Sequence, residues 1–484
     1  MPETLRDKTV RGVGWSFADS ILSIGVSFLV GLVLARLLTP DEYGLIGIAL
    51  IFINVLNSIV DSGLSNALIR KKDATDVDFS TVFIANLVLS LLTFGILYII
   101  APSVSRFFGR PELIPLIRVM GSLVIINAIS LIQSTVLTKR LDFKTKTKAS
   151  LVSAIVSAVV GIGMAFSGFG VWALVGQSLS RQLVNTVCLW FLNRWRPGIV
   201  FSWQSFKSFW NFGWKLLASS LIDKTWNELY QVVIGKFYSP AFLGQYTRAN
   251  QFSQLVSQNI TNVVQRVSYP VLSEIQDDKN RMTAAYRKVI KTTMFFTVVV
   301  LFFLGSVSEP LIYCLIGPQW QDAARFLPII CISGSMYPLH AINLNMLQVQ
   351  GRSDLFLRLE IIKKIIAVGP LCLGVFVSIY WMLVGSVMTG IVSFFLNSYY
   401  TGRDLGYSSW QQIRDISPSY GIATLVALSV YFLKYLPVSN YVILPFQIIV
   451  GGLLVFLVCE KTKLEEYDEV KRMAGHYFQK VIGH

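Results

Sequence analysis

Long apolar stretches alternate with short polar ones along the whole 484-residue chain. Fourteen of them are each close to the roughly 20 residues that a helix needs to cross the hydrocarbon core of a bilayer. They fall at about 13–38, 42–68, 79–101, 113–137, 149–167, 170–192, 212–236, 241–266, 291–316, 323–349, 358–378, 380–401, 418–436 and 440–459. The seventh and eighth are the least hydrophobic. At roughly 24 residues per crossing, the spans consume about 340 residues and leave about 140 for thirteen connections and two tails. No large soluble domain fits in that remainder. The pattern predicts an all-α polytopic membrane protein of about 14 transmembrane helices.

The pattern repeats at an offset of about 200 residues. Gly14-Trp15 returns as Gly213-Trp214, and Leu38-Thr39-Pro40-Asp41-Glu42-Tyr43-Gly44 as Tyr238-Ser239-Pro240-Ala241-Phe242-Leu243-Gly244. Both copies place Pro-x-x-x-Gly at a turn between two spans, where a proline starts a helix without sacrificing a bonded N–H. Trp172-Ala173-Leu174-Val175-Gly176 is echoed by Trp381-Met382-Leu383-Val384-Gly385. Six spans per copy is an even number, so the copies share one orientation. That is the parallel kind of transporter repeat, which predicts a central cavity between the halves near the midplane. The expected organisation is an N-lobe over 1–192 (helices 1–6), a cytoplasmic interfacial linker over 193–211, a C-lobe over 212–401 (helices 7–12), helices 13–14 over 402–460, and a cytoplasmic tail over 461–484. Trp203, Phe206, Trp210 and Trp214 recur at helical spacing in the linker region, which predicts a helix lying on the inner leaflet.

Composition agrees: 54% of residues are hydrophobic and only 14% charged, against roughly a quarter charged in soluble domains. The formal net charge of +15 could signal nucleic acid, but its placement says otherwise. With the N-terminus inside, 32 of the 42 Lys and Arg residues fall in inner segments, six in outer ones and four within spans. That asymmetry places both termini in the cytoplasm. The uncleaved first span is too long for a signal-peptide core.

Polar residues inside the spans are periodic. Span two carries Asn54, Asn57, Ser58, Asp61, Ser62 and Ser65; span eight carries Gln254, Ser257, Gln258, Thr261, Asn262 and Gln265. Steps of three and four put each set on one helix face. Span one adds Ser16, Asp19, Ser20, Ser23 and Ser27, and span seven adds Ser219, Ser220, Asp223, Asn227 and Gln231. In lipid such faces point at protein or at water, and interhelical hydrogen bonding competes with a wet cavity as the explanation. The intramembrane cations Arg36, Arg118, Arg181, Lys224 and Arg248 suit an anionic cargo, because guanidinium binds phosphate bidentately. Arg36 and Arg118 lie near span ends, where snorkelling competes as the explanation. The amides Asn54, Asn57, Asn227, Gln254, Gln258 and Asn262 and the rings of Trp226, Tyr230 and Tyr246 are candidate sugar contacts. Asp61, Asp223 and Glu228 are candidates for coupling to a proton or sodium ion.

The five cysteines are scattered and form no CxxC pair, so neither a disulfide framework nor a metal site is indicated. There is no Walker A motif, no HExxH and no GxSxG, no cofactor is expected, and the outer loops are short. These features argue against an enzyme.

Leu34 to Gly44, then Asp61-Ser62-Gly63-Leu64-Ser65-Asn66-Ala67-Leu68-Ile69-Arg70, resemble the polysaccharide transporter family, the Wzx-type flippases of the multidrug/oligosaccharidyl-lipid/polysaccharide superfamily. Phe169 to Val175 and Lys139-Arg140-Leu141-Asp142-Phe143 are similar to its colanic-acid-exporter branch. The resemblance covers essentially the whole chain. It implies fourteen helices in two lobes around a cavity bordered by the first two helices of each. It also implies a bacterial inner-membrane exporter of undecaprenyl-diphosphate-linked oligosaccharide, working beside glycosyltransferases and a polysaccharide polymerase. Competing functions are a peptidoglycan lipid II flippase, a multidrug/cation antiporter of the same superfamily, which would want acidic groups in its cavity, and a membrane glycan polymerase or ligase.

Overall fold

A computed structural model describes residues 23–60, 63–71, 73–350, 352–468 and 471, and all regular structure among them is helical. Two compact units divide between Gly244 and Gln245. The first contains α1 (Ser23–Leu37), α2 (Pro40–Val60), α3 (Leu64–Arg70), α4 (Asp76–Phe108), α5 (Leu113–Lys139), α6 (Phe143–Phe166), α7 (Val171–Leu192) and α8 (Trp203–Phe237). The division falls in the first turns of α9 (Pro240–Glu274). The second unit continues with α10 (Lys279–Ser306), α11 (Ser308–Leu315), α12 (Gln321–Ser335), α13 (Tyr337–Val349), α14 (Ser353–Phe376), α15 (Ile379–Leu405), α16 (Ser409–Phe432) and α17 (Asn440–Thr462).

Nine helical segments among the described residues are long and apolar enough to cross a membrane, and α1 is a shorter apolar helix. The chain is a multi-pass membrane protein. The expected spans at 170–192, 212–236, 241–266 and 358–378 coincide with α7, α8, α9 and α14, whose charged and amide residues dilute their hydropathy.

Local chemistry sets the helix ends. At α4 the Thr75 hydroxyl accepts the Asp78 N–H at 3.3 Å and the Asp78 carboxylate accepts the Thr75 N–H at 2.9 Å, a reciprocal capping box. Gly109 then ends α4 in the left-handed region, with φ 69°. Asp142 and Asp278 cap α6 and α10 by accepting backbone N–H groups. Pro40 and Pro240 open α2 and α9, as the repeat predicts. The two Pro-x-x-x-Gly segments also meet. A Cβ on Gly44 would overlap the Pro240 carbonyl, and one on Gly244 would overlap the Pro40 carbonyl and lie 3.2 Å from the Gly44 amide nitrogen. Each glycine thus lets the other copy's backbone approach.

The aromatic segment expected to lie on the inner leaflet is continuous with the seventh span. From Trp203 to Phe237 the chain is one 35-residue helix, capped by the Ser202 hydroxyl, which accepts the Ser205 N–H at 3.2 Å. No proline interrupts it, so the aromatic segment and the seventh span propagate together. Phe209 and Trp195 are buried with Leu64, Leu68, Phe79 and Val136, and Phe206 and Trp210 pack against this cluster. Trp203 remains 68% exposed. The preceding strip is fastened to α4 where the Ser80 hydroxyl accepts the Gly198 N–H (2.9 Å) and the Thr81 hydroxyl accepts the Ser202 N–H (3.0 Å).

Gly63, between α2 and α3, has φ 68°, and a Cβ there would sit 2.8 Å from the Leu216 Cβ and 3.1 Å from the Gly213 carbonyl. Gly63→Ala combines backbone strain with a clash, so a stability loss of about 1–3 kcal/mol is expected. Thermal unfolding of the purified protein in detergent measures it; an unchanged midpoint would show that the turn relaxes freely.

The second unit is centred on Tyr286, Met294, Val298, Ile342, Met346 and Phe394. Within it the buried Asn343 carbonyl accepts the hydroxyls of Tyr286 (2.8 Å) and Thr401 (2.9 Å), and its amide donates to Gln412 at 3.2 Å. That network ties α10, α13, α15 and α16 together.

Candidate functional site

In the first unit a seam of hydrogen bonds links polar groups from six helices. Arg181 of α7 donates to the hydroxyls of Ser27 (2.6 Å) and Ser23 (3.0 Å) on α1, and Ser150 of α6 donates to Ser23 at 3.1 Å. Beside it, Gln182 donates to Ser130 (3.1 Å) and Asn127 (3.4 Å) of α5, and Asn127 donates to Asn57 of α2 at 3.1 Å. One turn away on α2, Asn54 donates to the Glu228 carboxylate of α8 at 3.2 Å, which also accepts from Gln231. Most members are half-buried and Asn54 is exposed, so the network lies partly within reach of solvent.

The residues of α8 continue from this seam. Asp223, Lys224 and Asn227 are exposed, Trp226, Glu228 and Tyr230 are half-buried, and Asn227 donates to Asp223 at 3.2 Å. Lys224 precedes Glu228 by four residues and shares its face. Other candidates are placed apart. Arg36 is exposed at the end of α1. The Arg118 guanidinium lies 4.1 Å from the centre of the Tyr98 ring, packing α5 against α4. On α2, Ser58 is buried and donates to the Val55 carbonyl, and on α3 Ser65 is buried. Asp61 and Ser62, and Ser16, Asp19 and Ser20 of the first span, lie outside the described residues.

In the second unit the polar stripe of α9 has an exposed and a buried edge. Gln254, Gln258 and Asn262 are exposed at intervals of four. Ser257 and Thr261 are buried, and their hydroxyls donate to carbonyls one turn back, at 3.1 and 2.7 Å. Gln265 donates to Asn345 of α13 at 3.4 Å. Small hydroxyls satisfy themselves on their own helix, whereas longer amides need a partner or solvent. Arg248 is half-buried, donates to Gln251 at 2.6 Å, and places its guanidinium 6.0 Å from the centre of the buried Trp320 ring. Gln245 fixes that tryptophan's turn by donating to the Gln319 carbonyl (2.7 Å) and accepting the Ala323 N–H (2.9 Å). Tyr246 is half-buried on the same helix.

Sequence reasoning missed Asn127, Ser130, Ser150 and Gln182. They carried their own signal at steps of three and four, in Asn127 with Ser130 on α5 and in Ser150, Ser153 and Ser157 on α6, and Gln182 directly follows Arg181. Among the described residues, no group of three or more His, Cys, Asp or Glu is placed to hold a metal ion.

The arrangement can offer exposed amides and cations to a polar, anionic solute from within a membrane protein. A family model described as "Polysaccharide biosynthesis protein" matches residues 33–325. The succinoglycan biosynthesis transport protein ExoT of Rhizobium meliloti is 28% identical over 334 residues, 69% of this chain and 68% of that one. The lipopolysaccharide biosynthesis protein WzxC of Escherichia coli is 22% identical over 378 residues, 77% of this chain and 76% of that one. Among solved structures, the lipid II flippase MurJ in an inward closed conformation superposes with a TM-score of 0.72 at 14% identity, covering 93% of this chain and 97% of that one. This last likeness shows the fold.

Proposed function

The chain belongs to the polysaccharide biosynthesis protein family, and from that premise we propose that it is a flippase for undecaprenyl-diphosphate-linked oligosaccharide, serving export of a surface polysaccharide by alternating access. The observation that carries the reading is the polar face each unit exposes on a helix of membrane-spanning length: Asp223, Lys224 and Asn227 on α8, and Gln254, Gln258 and Asn262 on α9. Relatives named for transport in succinoglycan biosynthesis and for lipopolysaccharide biosynthesis support it. Lys224, Arg181 and Arg248 take the diphosphate, with Arg36 and Arg118 as further cations. The amides, together with Trp226, Tyr230 and Tyr246, contact sugar. The polyprenyl tail stays in lipid. Asp61, Asp223 and Glu228 couple the cycle to a proton or sodium gradient. The chain sits in the bacterial inner membrane with both termini cytoplasmic, as the basic loops direct, and works beside glycosyltransferases and a polysaccharide polymerase.

Proteoliposomes test this directly. Wild-type protein moves a fluorescent undecaprenyl-diphosphate oligosaccharide to the opposite leaflet; absence of transfer overturns the reading. Lys224→Gln and Arg248→Gln each remove a charged contact worth about 1.5–3 kcal/mol, so each should slow transfer by about tenfold or more at unchanged membrane content. Wild-type rates in both variants would remove these residues from the diphosphate site.

A further inference from the structure

We propose that the second unit binds an anionic phospholipid, with its phosphate headgroup in a cleft at the start of α16 and its acyl chains along the same helix. The inference does not rest on the transport reading. The cleft has a volume of about 850 Å³ and is walled by the first turns of α10 and α16 and by the turn after α17. Three acidic residues line it, and each is already matched. Asp415 accepts two guanidinium nitrogens of Arg287 (2.5 and 2.7 Å) and the Tyr407 hydroxyl (2.7 Å). Glu465 and Glu466 pair with Lys291, at 3.1 and 2.9 Å.

Five cations line the same walls: Arg287, Lys288, Lys291, Arg414 and Lys463. Positive charge is therefore in surplus. Among the described residues, Arg414 and Lys463 enter no ion pair, and they stand on different walls, one on α16 and one in the turn. Lys463 also holds a left-handed conformation, with φ 49° and ψ 45°. Glycine is the residue that ends a helix this way without strain, so a lysine here keeps its ammonium at the cleft at a conformational cost.

The character of α16 changes along one face. Arg414, Pro418, Gly421, Leu425, Leu428 and Phe432 follow at steps of four and three, which is a single stripe. Leu425, Leu428 and Phe432 are 53%, 53% and 62% exposed, and they line a shallow apolar hollow of about 660 Å³. At 1.5 Å per residue, the apolar part lies roughly 10–27 Å from Arg414. A phosphate head at the cations with hydrocarbon along the stripe matches that spacing. Basic clefts between membrane helices recognise lipid phosphates in this way.

Native mass spectrometry of the purified full chain, with dioleoylphosphatidylglycerol or dioleoylphosphatidylcholine added, tests the site. The wild-type protein should retain phosphatidylglycerol preferentially. Arg414→Gln and Lys463→Gly should each weaken that retention about fivefold, and together about 25-fold. Lys463→Gly relieves the left-handed strain, so the variant keeps its melting temperature while losing lipid. Equal retention by wild type and double variant would overturn the site. So would equal binding of phosphatidylcholine, or inorganic phosphate displacing phosphatidylglycerol at equal concentration.

Discussion

Gly44→Ala is expected to stop surface polysaccharide export while leaving the protein in the membrane. A Cβ at this position overlaps a backbone carbonyl, that of Pro240, and backbone cannot rotate aside as a flexible side chain can. The two Pro-x-x-x-Gly segments would have to separate. Overpacking of this kind costs about 1–3 kcal/mol and occasionally more. At its upper end the penalty lowers the population of the crossed arrangement by about a hundredfold. A transporter that needs this arrangement once per cycle slows by the same factor. Gly244→Ala should reproduce the defect, because its Cβ meets the Pro40 carbonyl. The double variant should be little worse than either single one, since both break one contact. Gly163→Ala supplies the control: nothing lies within 4 Å of its Cβ, and export should be normal. Surface glycan, measured against membrane content of each variant, is the readout. Normal export by Gly44→Ala would show that the reciprocal crossing is dispensable.

That contact was half legible in the sequence. The offset of about 200 residues exposed Pro40 and Pro240 as equivalent helix starts. Nothing in a linear pattern says that two equivalent turns touch, because contact depends on packing between copies. The helices themselves were the most legible feature, since length and apolarity encode a span directly. Their continuity was less so: α8 runs from Trp203 through the expected linker because no breaker stops it, and only tertiary burial of Phe209 and Trp195 shows which side packs. The stripes were legible as periodicity but not as fate. Asn57 meets Asn127, Gln254 stays exposed, and Thr261 bonds its own helix, although all three fitted the same spacing rule. Arg181 stood out as an intramembrane charge, and its bonds to Ser23 and Ser27 join two features read separately, a lone cation and a serine stripe.

Glu228→Gln should uncouple transport from its ion gradient while leaving the seam of the first unit intact. Glutamine has nearly the shape of glutamate and keeps one carbonyl oxygen to accept from Asn54 or Gln231, as the carboxylate does now. What it loses is the charge, on the same face as Lys224. If Glu228 carries the coupling ion, the linkage between gradient and cargo disappears. A coupling free energy of about 1–3 kcal/mol corresponds to a change of about 5–150-fold in gradient-driven accumulation. Glu228→Ala should be worse in a second way, because it removes the acceptor of Asn54 and Gln231 as well as the charge and costs about 0.5–1.5 kcal/mol of stability. The comparison therefore separates charge from hydrogen bonding. Flux into proteoliposomes, with and without an imposed proton or sodium gradient, reads the first; thermal unfolding reads the second. Full gradient dependence in Glu228→Gln, with instability confined to Glu228→Ala, would make Glu228 a structural acceptor and pass the coupling role to Asp223 or Asp61.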